Sequence, residues 1–448
     1  DRSVSRGLGD VYKRQVVSDG LEVTATDERG IYYLASDLAR RNFVFVSVPA
    51  DCEIPATQGC PRFYRKIDRK QAVNRADFTL TRRKTPSDRH SLIVMADIQL
   101  AADNTSVDSY LGHVVPDVLK TVQGLPTEVY GVSLGDLVWN DMSLFPKYRQ
   151  GLETLGFTTF SLPGNHDHDP AELTDSLALQ SYERYFGPAN YSVNIGKIHY
   201  LFLDNILFDH APTAEEEYTI GLTDEICRWI EADLRYVPAG STLVVSSHCP
   251  ILYHTKNTAA RNHRNFQRFL DAISPYKVHA FGGHKHYHDI YRYDDGRKVM
   301  HCIARTPGDL FINGDVNCDG TPRGYAVVEV DGERLSWYYK PAGGKRDMQM
   351  RLYAPGRTNS ACVYANVWGY DTAWSAVEWI PASGGQAVAM ERTQRTDPYY
   401  EEVLATGVRG GTPTNTWHMF RVDPGSERGG MVRVTDSFGH TYESSVSW

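Results

Sequence analysis

The chain has 448 residues, too many for one hydrophobic core, so two or three domains are expected. Its net charge of -8, with lysines and arginines scattered and no basic stripe, argues against a nucleic-acid partner held through phosphates. Its longest apolar runs, such as Phe43 to Val48, are far too short to span a bilayer as a helix.

The first 15 or so residues show neither helical nor strand period, and Asp10 to Gln15 resembles a translated sequencing adapter, so this stretch is expected to be non-native or disordered. No Met begins the chain, which leaves room for a lost signal peptide. From Val16 the pattern alternates through Leu21 to Ala25, a turn at Asp27 to Gly30, Ile31 to Leu34, Phe43 to Val48 and Ala76 to Leu80. That alternation predicts a small antiparallel β-sandwich over residues 1–82. Cys52 and Cys60 flank a short loop containing Pro and Gly; a disulfide and a pair of free thiols are both open. The seven cysteines have no zinc-ribbon spacing, and their odd number leaves at least one unpaired. Thr81 to His90, polar, basic and interrupted by Pro86, reads as a linker.

From Leu92 apolar strands alternate with helical segments, which predicts a layered α/β domain over residues 83–342. Its clearest helix is Thr223 to Val237, with Thr223 as cap, Asp224 and Glu225 in the first turn, and Ile226, Trp229, Ile230, Leu234 and Val237 on one apolar face. After Pro341 to Gly344 short alternating strands return, at Met348 to Tyr353, Cys362 to Trp368, Ala376 to Ile380, Thr416 to Val422, Met431 to Thr435 and Thr441 to Val446. They predict a second β-sandwich over residues 343–448.

Within the α/β domain, five strands in succession run into groups that suit a hard or borderline metal. Leu92 to Ala96 leads to Asp97 and Gln99, Val129 to Leu134 to Asp136, and Thr159 to Leu162, through the turn Pro163-Gly164, to Asn165, His166 and Asp167. Leu243 to Ser246 leads to His248, and Val278 to Phe281 to His284 and His286. Strand ends are where open α/β sheets bind ligands, and in a single sheet these five would converge on one edge. Each piece alone reads as a helix cap or a packing histidine, but the ordered set does not. Carboxylate, amide oxygen and imidazole without thiolate fit manganese, iron or zinc, and not a structural zinc site. Asp315 to Gly320 resembles the start of a calcium loop, but Ala326 stands where its Glu belongs and Pro322 interrupts it, so it reads as a turn. His113, His254, His263, His288 and His418 lack motif partners and read as structural or exposed.

These residues resemble the calcineurin-like metallophosphoesterases, whose order is Asp-x-His, Gly-Asp, Gly-Asn-His-Asp/Glu, His and Gly-His-x-His, over about residues 90–340. The resemblance implies a four-layer α-β-β-α core, here flanked by two all-β sandwich domains. It also implies two divalent metal ions: one held by Asp97, Asp136 and His286, with Gln99 either a further, weaker ligand or turned away with water in its place, and one held by Asp136, Asn165, His248 and His284. Asp136 would bridge the two, and His166 would face the scissile phosphate without binding metal. Gln99 replaces the family's first His, and Trp139 stands where the protein-phosphatase branch has the Asp that orients the catalytic His. An amide oxygen at position 99, a harder and weaker donor than imidazole, would tilt the first site from zinc towards manganese or magnesium, with manganese favoured.

The expected function is therefore metal-assisted hydrolysis of a phosphomonoester or phosphodiester, with His166 and Asp136 as catalytic residues and substrate identity and oligomeric state open. A rival reading is a cell-surface binding protein whose sandwiches engage a partner and whose central site has weakened. The flanking modules resemble those of exported Bacteroides-type members of the family, so a periplasmic or cell-surface location is expected, with a cytoplasmic one still open.

Overall fold

The computed structural model describes residues 15–102, 105–208, 218–251, 263–308, 315–358, 360–407 and 410–448; the opening stretch up to residue 14 and His254 lie outside them. Two mixed sheets form the centre. One contains Arg89–Met95, Glu128–Ser133, Thr159–Ser161, Gly324–Asp331 and Arg334–Pro341; the other contains Tyr191–Ile195, Ile198–Leu203, Thr242–Ser247, Lys277–Gly282, Asp289–Tyr293 and Lys298–Cys302.

Arg89–Met95 is buried on both faces, which explains its near-continuous apolar run. Ile93 and Met95 pack with Val118, Tyr148 and Leu152 from the helices Val115–Gln123 and Phe145–Leu155. Leu92 and Val94, on the other face, share a core with Phe202, Val244 and Ala280 of the second sheet. Phe160 and Phe202 stack across the two sheets with ring centroids 5.0 Å apart. The second sheet is backed by Asp224–Asp233 and Phe266–Ala272, which completes the α-β-β-α order of layers. As the sequence predicts, Thr223 caps the first of these, its hydroxyl accepting from Ile226 N at 3.1 Å, and Trp229 and Ile230 turn inward. The α-helix ends at Asp233, a 3-10 turn takes Leu234–Tyr236, and Val237 is already extended.

The five motif-bearing strands do not share a sheet. Arg89–Met95, Glu128–Ser133 and Thr159–Ser161 are parallel neighbours in one, and Thr242–Ser247 and Lys277–Gly282 are parallel neighbours in the other. The site is thus built between the edges of two stacked sheets.

The N-terminal part is all β: a four-stranded antiparallel sheet of Val23–Ala25, Val16–Ser18, Phe43–Ser47 and Tyr64–Lys66, plus the hairpin Ala56–Thr57 with Cys60–Pro61. Ile31 to Leu34 and Ala76 to Leu80 are not strands. Their alternation has another cause: Tyr32, Leu34, Ala76, Phe78 and Leu80 are irregular chain laid with alternate side chains on the core, and Tyr32 Oη donates to Ala76 O at 2.7 Å. This sheet continues the central core. Val48 bridges to Val193, and Phe45 meets Trp229 at 6.1 Å. The expected linker is pinned as well, with Arg83 donating to Cys52 O at 2.8 Å and to Glu128 at 2.7 Å. Cys52 and Cys60 are free thiols buried in different apolar clusters.

The C-terminal part is a sandwich of two four-stranded antiparallel sheets around Val363, Ala365, Trp379, Phe420, Val432 and Val434. The expected strands are present with shifted ends, joined by Val388–Ala389, Glu391–Arg395 and an unanticipated helix, Pro398–Ala405. Asp397 caps that helix by accepting from Tyr400 N at 3.0 Å, with Pro398 opening its first turn. Asp315 to Gly320 includes a turn closed by Gly320 N donating to Asn317 O at 2.8 Å; buried Asp319 accepts from His288 N at 2.9 Å and faces His418 at 3.4 Å. Among the described residues no helix is long and apolar enough to cross a membrane.

Candidate metal centre

The loops that leave three of the five strands, Arg89–Met95, Glu128–Ser133 and Lys277–Gly282, are bent sharply. Asp97, Gln99, Asp136, His284 and His286 all have positive φ, between 49° and 65°, a region costly for residues with a side chain. Glycines clear the space these side chains need: a Cβ at Gly164 would lie 2.2 Å from Asp136 Oδ1, and one at Gly283 2.4 Å from Asp97 Oδ2. The bends aim the polar side chains at one another across the sheet ends.

Two adjoining clusters result. In one, Asn165 Oδ1 lies 3.0 Å from His248 Nε2 and 3.1 Å from His284 Nδ1, those two nitrogens are 3.2 Å apart, and Asp136 Oδ1 is 3.3 Å from His248 Nε2. In the other, Asp97, Asp136 and His286 converge, with Asp97 Oδ1 3.5 Å from His286 Nε2. Asp136 belongs to both: its Oδ1 meets His248, and its carboxylate converges with Asp97 and His286 while Oδ2 accepts from Gln99 Nε2. Ligands bound to one ion at about 2.1 Å stand about 3.0–3.4 Å apart in octahedral or tetrahedral arrangement. The separations in the cluster around Asn165, 3.0–3.3 Å, fall in that range, and the 3.5 Å between Asp97 and His286 in the other lies just beyond it.

The chemistry of the donors fits a cation too. His248 Nδ1 faces the Leu134 carbonyl at 2.8 Å, which fixes a proton there and leaves Nε2, the atom that a second proton or an ion would occupy, facing Asn165 Oδ1 and His284 Nδ1. Converging lone pairs repel unless a proton or an ion lies among them. Cys249 also borders this cluster, but burial pushes its thiol well up, away from the thiolate that ligation needs, and Asn205 holds its backbone from both sides at 2.8 and 3.1 Å.

The electrostatics follow from burial against charge. Burial alone would raise the Asp136 carboxyl, but His248 and His166 outweigh it and hold it well below its ordinary value. Burial would likewise lower His248, but the Asp136 carboxylate lifts it to about 9. Burial, reinforced by His248, drives His284 well down. Asp167 is no ligand: its carboxylate accepts from the N–H groups of Leu137, Val138 and Gly164 at 2.9–3.1 Å and staples two site loops together.

His166 stands beside the clusters and is held four ways. Its backbone N–H donates to Asp136 Oδ1 at 2.9 Å, its carbonyl accepts from Asn140 N at 3.2 Å, its Nδ1 lies 2.8 Å from Asn140 Oδ1, and Trp139 stacks on its ring at 3.7 Å. Burial lowers its pKa, against the pull of Asp136. Trp139 does not replace the orienting Asp of the protein phosphatases; the neighbouring Asn140 takes that hydrogen bond. Gln99 Oε1 accepts from Arg305 Nε at 2.7 Å, and its Nε2 lies 2.9 Å from Asp136 Oδ2. Asn140, Asn205 and Arg305 were not legible as site residues, because each acts through a contact that no local motif marks.

Residues 91–288 match the calcineurin-like phosphoesterase family, residues 6–83 the N-terminal part of calcineurin-like phosphoesterases, and residues 301–442 their C-terminal part. Among solved structures the chain is similar to a dimetal phosphatase from Danio rerio, at 13% identity and TM-score 0.40, over 56% of this chain and 96% of that one. It is also similar to a purple acid phosphatase from yellow lupin, at 13% identity and TM-score 0.40, over 57% and 52% of the two chains. A third similarity, to a 5'-nucleotidase from Candida albicans, has 11% identity and TM-score 0.33, over 56% and 50%. No curated protein matches the chain.

Proposed function

The chain belongs to the calcineurin-like phosphoesterase family, and from that premise we propose that it hydrolyses phosphate esters through a dinuclear metal site. The observation that carries the reading is the pair of donor clusters sharing Asp136 between the edges of the two sheets. Asp97, Asp136 and His286 would hold one ion, and Asp136, Asn165, His248 and His284 the other. When bound, such ions lower the pKa of water and neutralise phosphoryl charge in an in-line displacement. The N/O donor set suits manganese, iron or zinc.

The protein's own contribution is orientation and proton handling. Asp136 sets the spacing of the clusters and, through His166 N, ties it to the catalytic imidazole. With Nδ1–H directed to Asn140 Oδ1 and the ring pressed on Trp139, His166 presents Nε2 to the substrate. From there, when protonated on both nitrogens, it stabilises developing charge or donates its Nε2 proton to the leaving oxygen. The substrate is a phosphate ester, with monoesters and diesters both to be tested. The absence of a basic stripe disfavours nucleic acid, and the exported location expected for modules of this type stays part of the proposal. The convergence of Asp97, Asp136 and His286, and of Asp136, Asn165, His248 and His284, speaks against a spent enzyme retained only for binding. Metal analysis of the purified protein, followed by chromogenic monoester and diester assays with manganese, zinc and iron, tests the reading; a metal-loaded protein inert on both substrate classes would overturn it.

A further inference from the structure

Gln99 is where the chain leaves the Asp-x-His pattern, and the orientation of its amide is fixed by its neighbours. Oε1 lies 2.7 Å from Arg305 Nε, while Nε2 lies 2.9 Å from Asp136 Oδ2 and 3.1 Å from His286 Nε2. A guanidinium only donates and a carboxylate only accepts. Exchanging the two ends of the amide would set N–H against N–H at Arg305 and lone pair against lone pair at Asp136, all in a buried site.

Arg305 is not free to release this grip. It is 2% exposed, its Nη2 donates to Ile98 O at 3.1 Å, and its Nη1 donates to Gly308 O. The next residue is clamped to the loop that carries Asp97: Thr306 N donates to Ala96 O at 2.9 Å, and Thr306 Oγ1 accepts from Ala96 N at 2.9 Å. The guanidinium, the amide and the first donor cluster therefore form one rigid chain of hydrogen bonds.

We propose that Arg305 locks Gln99 with its amide nitrogen toward Asp136 and His286, so that Gln99 competes with the ion at the first cluster and is not one of its ligands. The inference rests on the two-ion reading above. The amide protons and the ion seek the same lone pairs on Asp136 Oδ2 and His286 Nε2. The first site then has three protein ligands and a built-in competitor, against four ligands and no competitor at the site of Asn165, His248 and His284. Its ion is the more weakly held of the two, and Arg305, though it touches neither ion, sets that difference as a positioning residue.

The test titrates metal-free full-length wild type, Gln99→Ala and Arg305→Met with manganese, reading both affinities by calorimetry and free-ion paramagnetic resonance. Thermal melting confirms that each variant is folded. Removing the competing amide in Gln99→Ala tightens the weaker site at least threefold and leaves the stronger one unchanged. In Arg305→Met the freed amide turns its oxygen inward and the weaker site tightens as well. A weaker site that loosens in Gln99→Ala makes Gln99 a ligand, and one that shifts less than threefold removes the competition; either result overturns the proposal while leaving two ions in place. Should Gln99→Ala fail to fold, Arg305→Met decides alone, by the same threefold criterion. Wild type that takes up only one ion at millimolar manganese overturns the two-ion reading and the proposal together.

Discussion

Gly164→Ala isolates the geometry of the bridging carboxylate. Gly164 has φ -110° and ψ -176°, a conformation open to alanine, so the substitution strains no backbone and its whole effect is steric. The new Cβ would stand 2.2 Å from Asp136 Oδ1 and 2.4 Å from Asp136 N, against an ordinary contact of about 3.4 Å. One atom is main chain, so no side-chain rotation relieves both contacts, and the two loops must part by about 1 Å. Asp136 Oδ1 also holds His166 N, so both donor clusters and the His166 imidazole shift together. A displacement of that size costs about 10²-fold in rate when it falls on reacting groups. Overpacking of this kind costs about 1–3 kcal/mol of stability, which the fold is expected to survive. Gly112, where an added Cβ would meet nothing within 4 Å and φ is not positive, is the matched control, and Gly112→Ala should leave both rate and melting temperature near wild type. The assay is kcat/KM on a chromogenic phosphate ester with metal content measured on the same samples. A Gly164→Ala protein within threefold of wild type on kcat/KM would refute the argument that Asp136 must sit where it does.

Asp136→Asn should lower turnover by several orders of magnitude in a protein that still folds, since both clusters lose their shared anion; near-native rates with metal present would end the dinuclear reading. His166→Ala should cut turnover about 10²–10⁴-fold with metal content unchanged, and loss of an ion would instead make His166 a ligand. Gly283→Ala, whose Cβ would meet Asp97 Oδ2 at 2.4 Å, should weaken one metal site and spare the other, as a two-step titration would reveal. Stability should also depend on pH through Glu183, which belongs to neither donor cluster. Burial raises its carboxyl to about 7, against the Asn42 hydrogen bond that lowers it. The folded protein then holds a proton that the unfolded chain has released, so stability is full below the unfolded carboxyl pKa and falls as pH rises towards 7. The loss is on the order of 2 kcal/mol, since the carboxyl keeps some solvent access. Glu183→Gln should flatten that slope in chemical denaturation measured from pH 4 to 8.

The two flanking parts are built into the core more firmly than their sequence suggests. Alternating strands predict them as modules, yet Val17, Phe45 and Val46 lie in the same apolar cluster as Trp229 and Val244. On the other side, Arg292 pairs with Asp371 at 2.8 Å and His418 reaches the His288 carbonyl at 3.0 Å, two residues beyond His286. A chain cut to residues 84–342 keeps every proposed ligand but exposes these surfaces, and is expected to be insoluble or to melt well below the full chain. Recovery of a stable, monomeric core would show that the shared clusters contribute little.

What was legible in the sequence was what neighbouring residues encode. Gly135-Asp136 and Gly164-Asn165-His166 announce a glycine that clears space beside a polar residue at a strand end, and Thr223 with Asp224 and Glu225 announces a helix start. Asp397-Pro398 carries an equally local signal for the helix Pro398–Ala405, and it is lost among the strands around it. Strand pairing is different: no local pattern says that Thr159–Ser161 and Thr242–Ser247 belong to different sheets, because the partners that decide it lie far along the chain. The role of position 99 is the extreme case. Residue type alone leaves the role of Gln open, since its amide has one end that accepts and one that donates, and the end that faces the first cluster depends on the neighbour that bonds the other. That neighbour, Arg305, lies 206 residues away and outside every motif. Where a ligand pattern is intact but for one substitution, the role of the substituted side chain is therefore to be sought in its hydrogen-bond partners, and at position 99 the titrations of Gln99→Ala and Arg305→Met are the measurement that decides it.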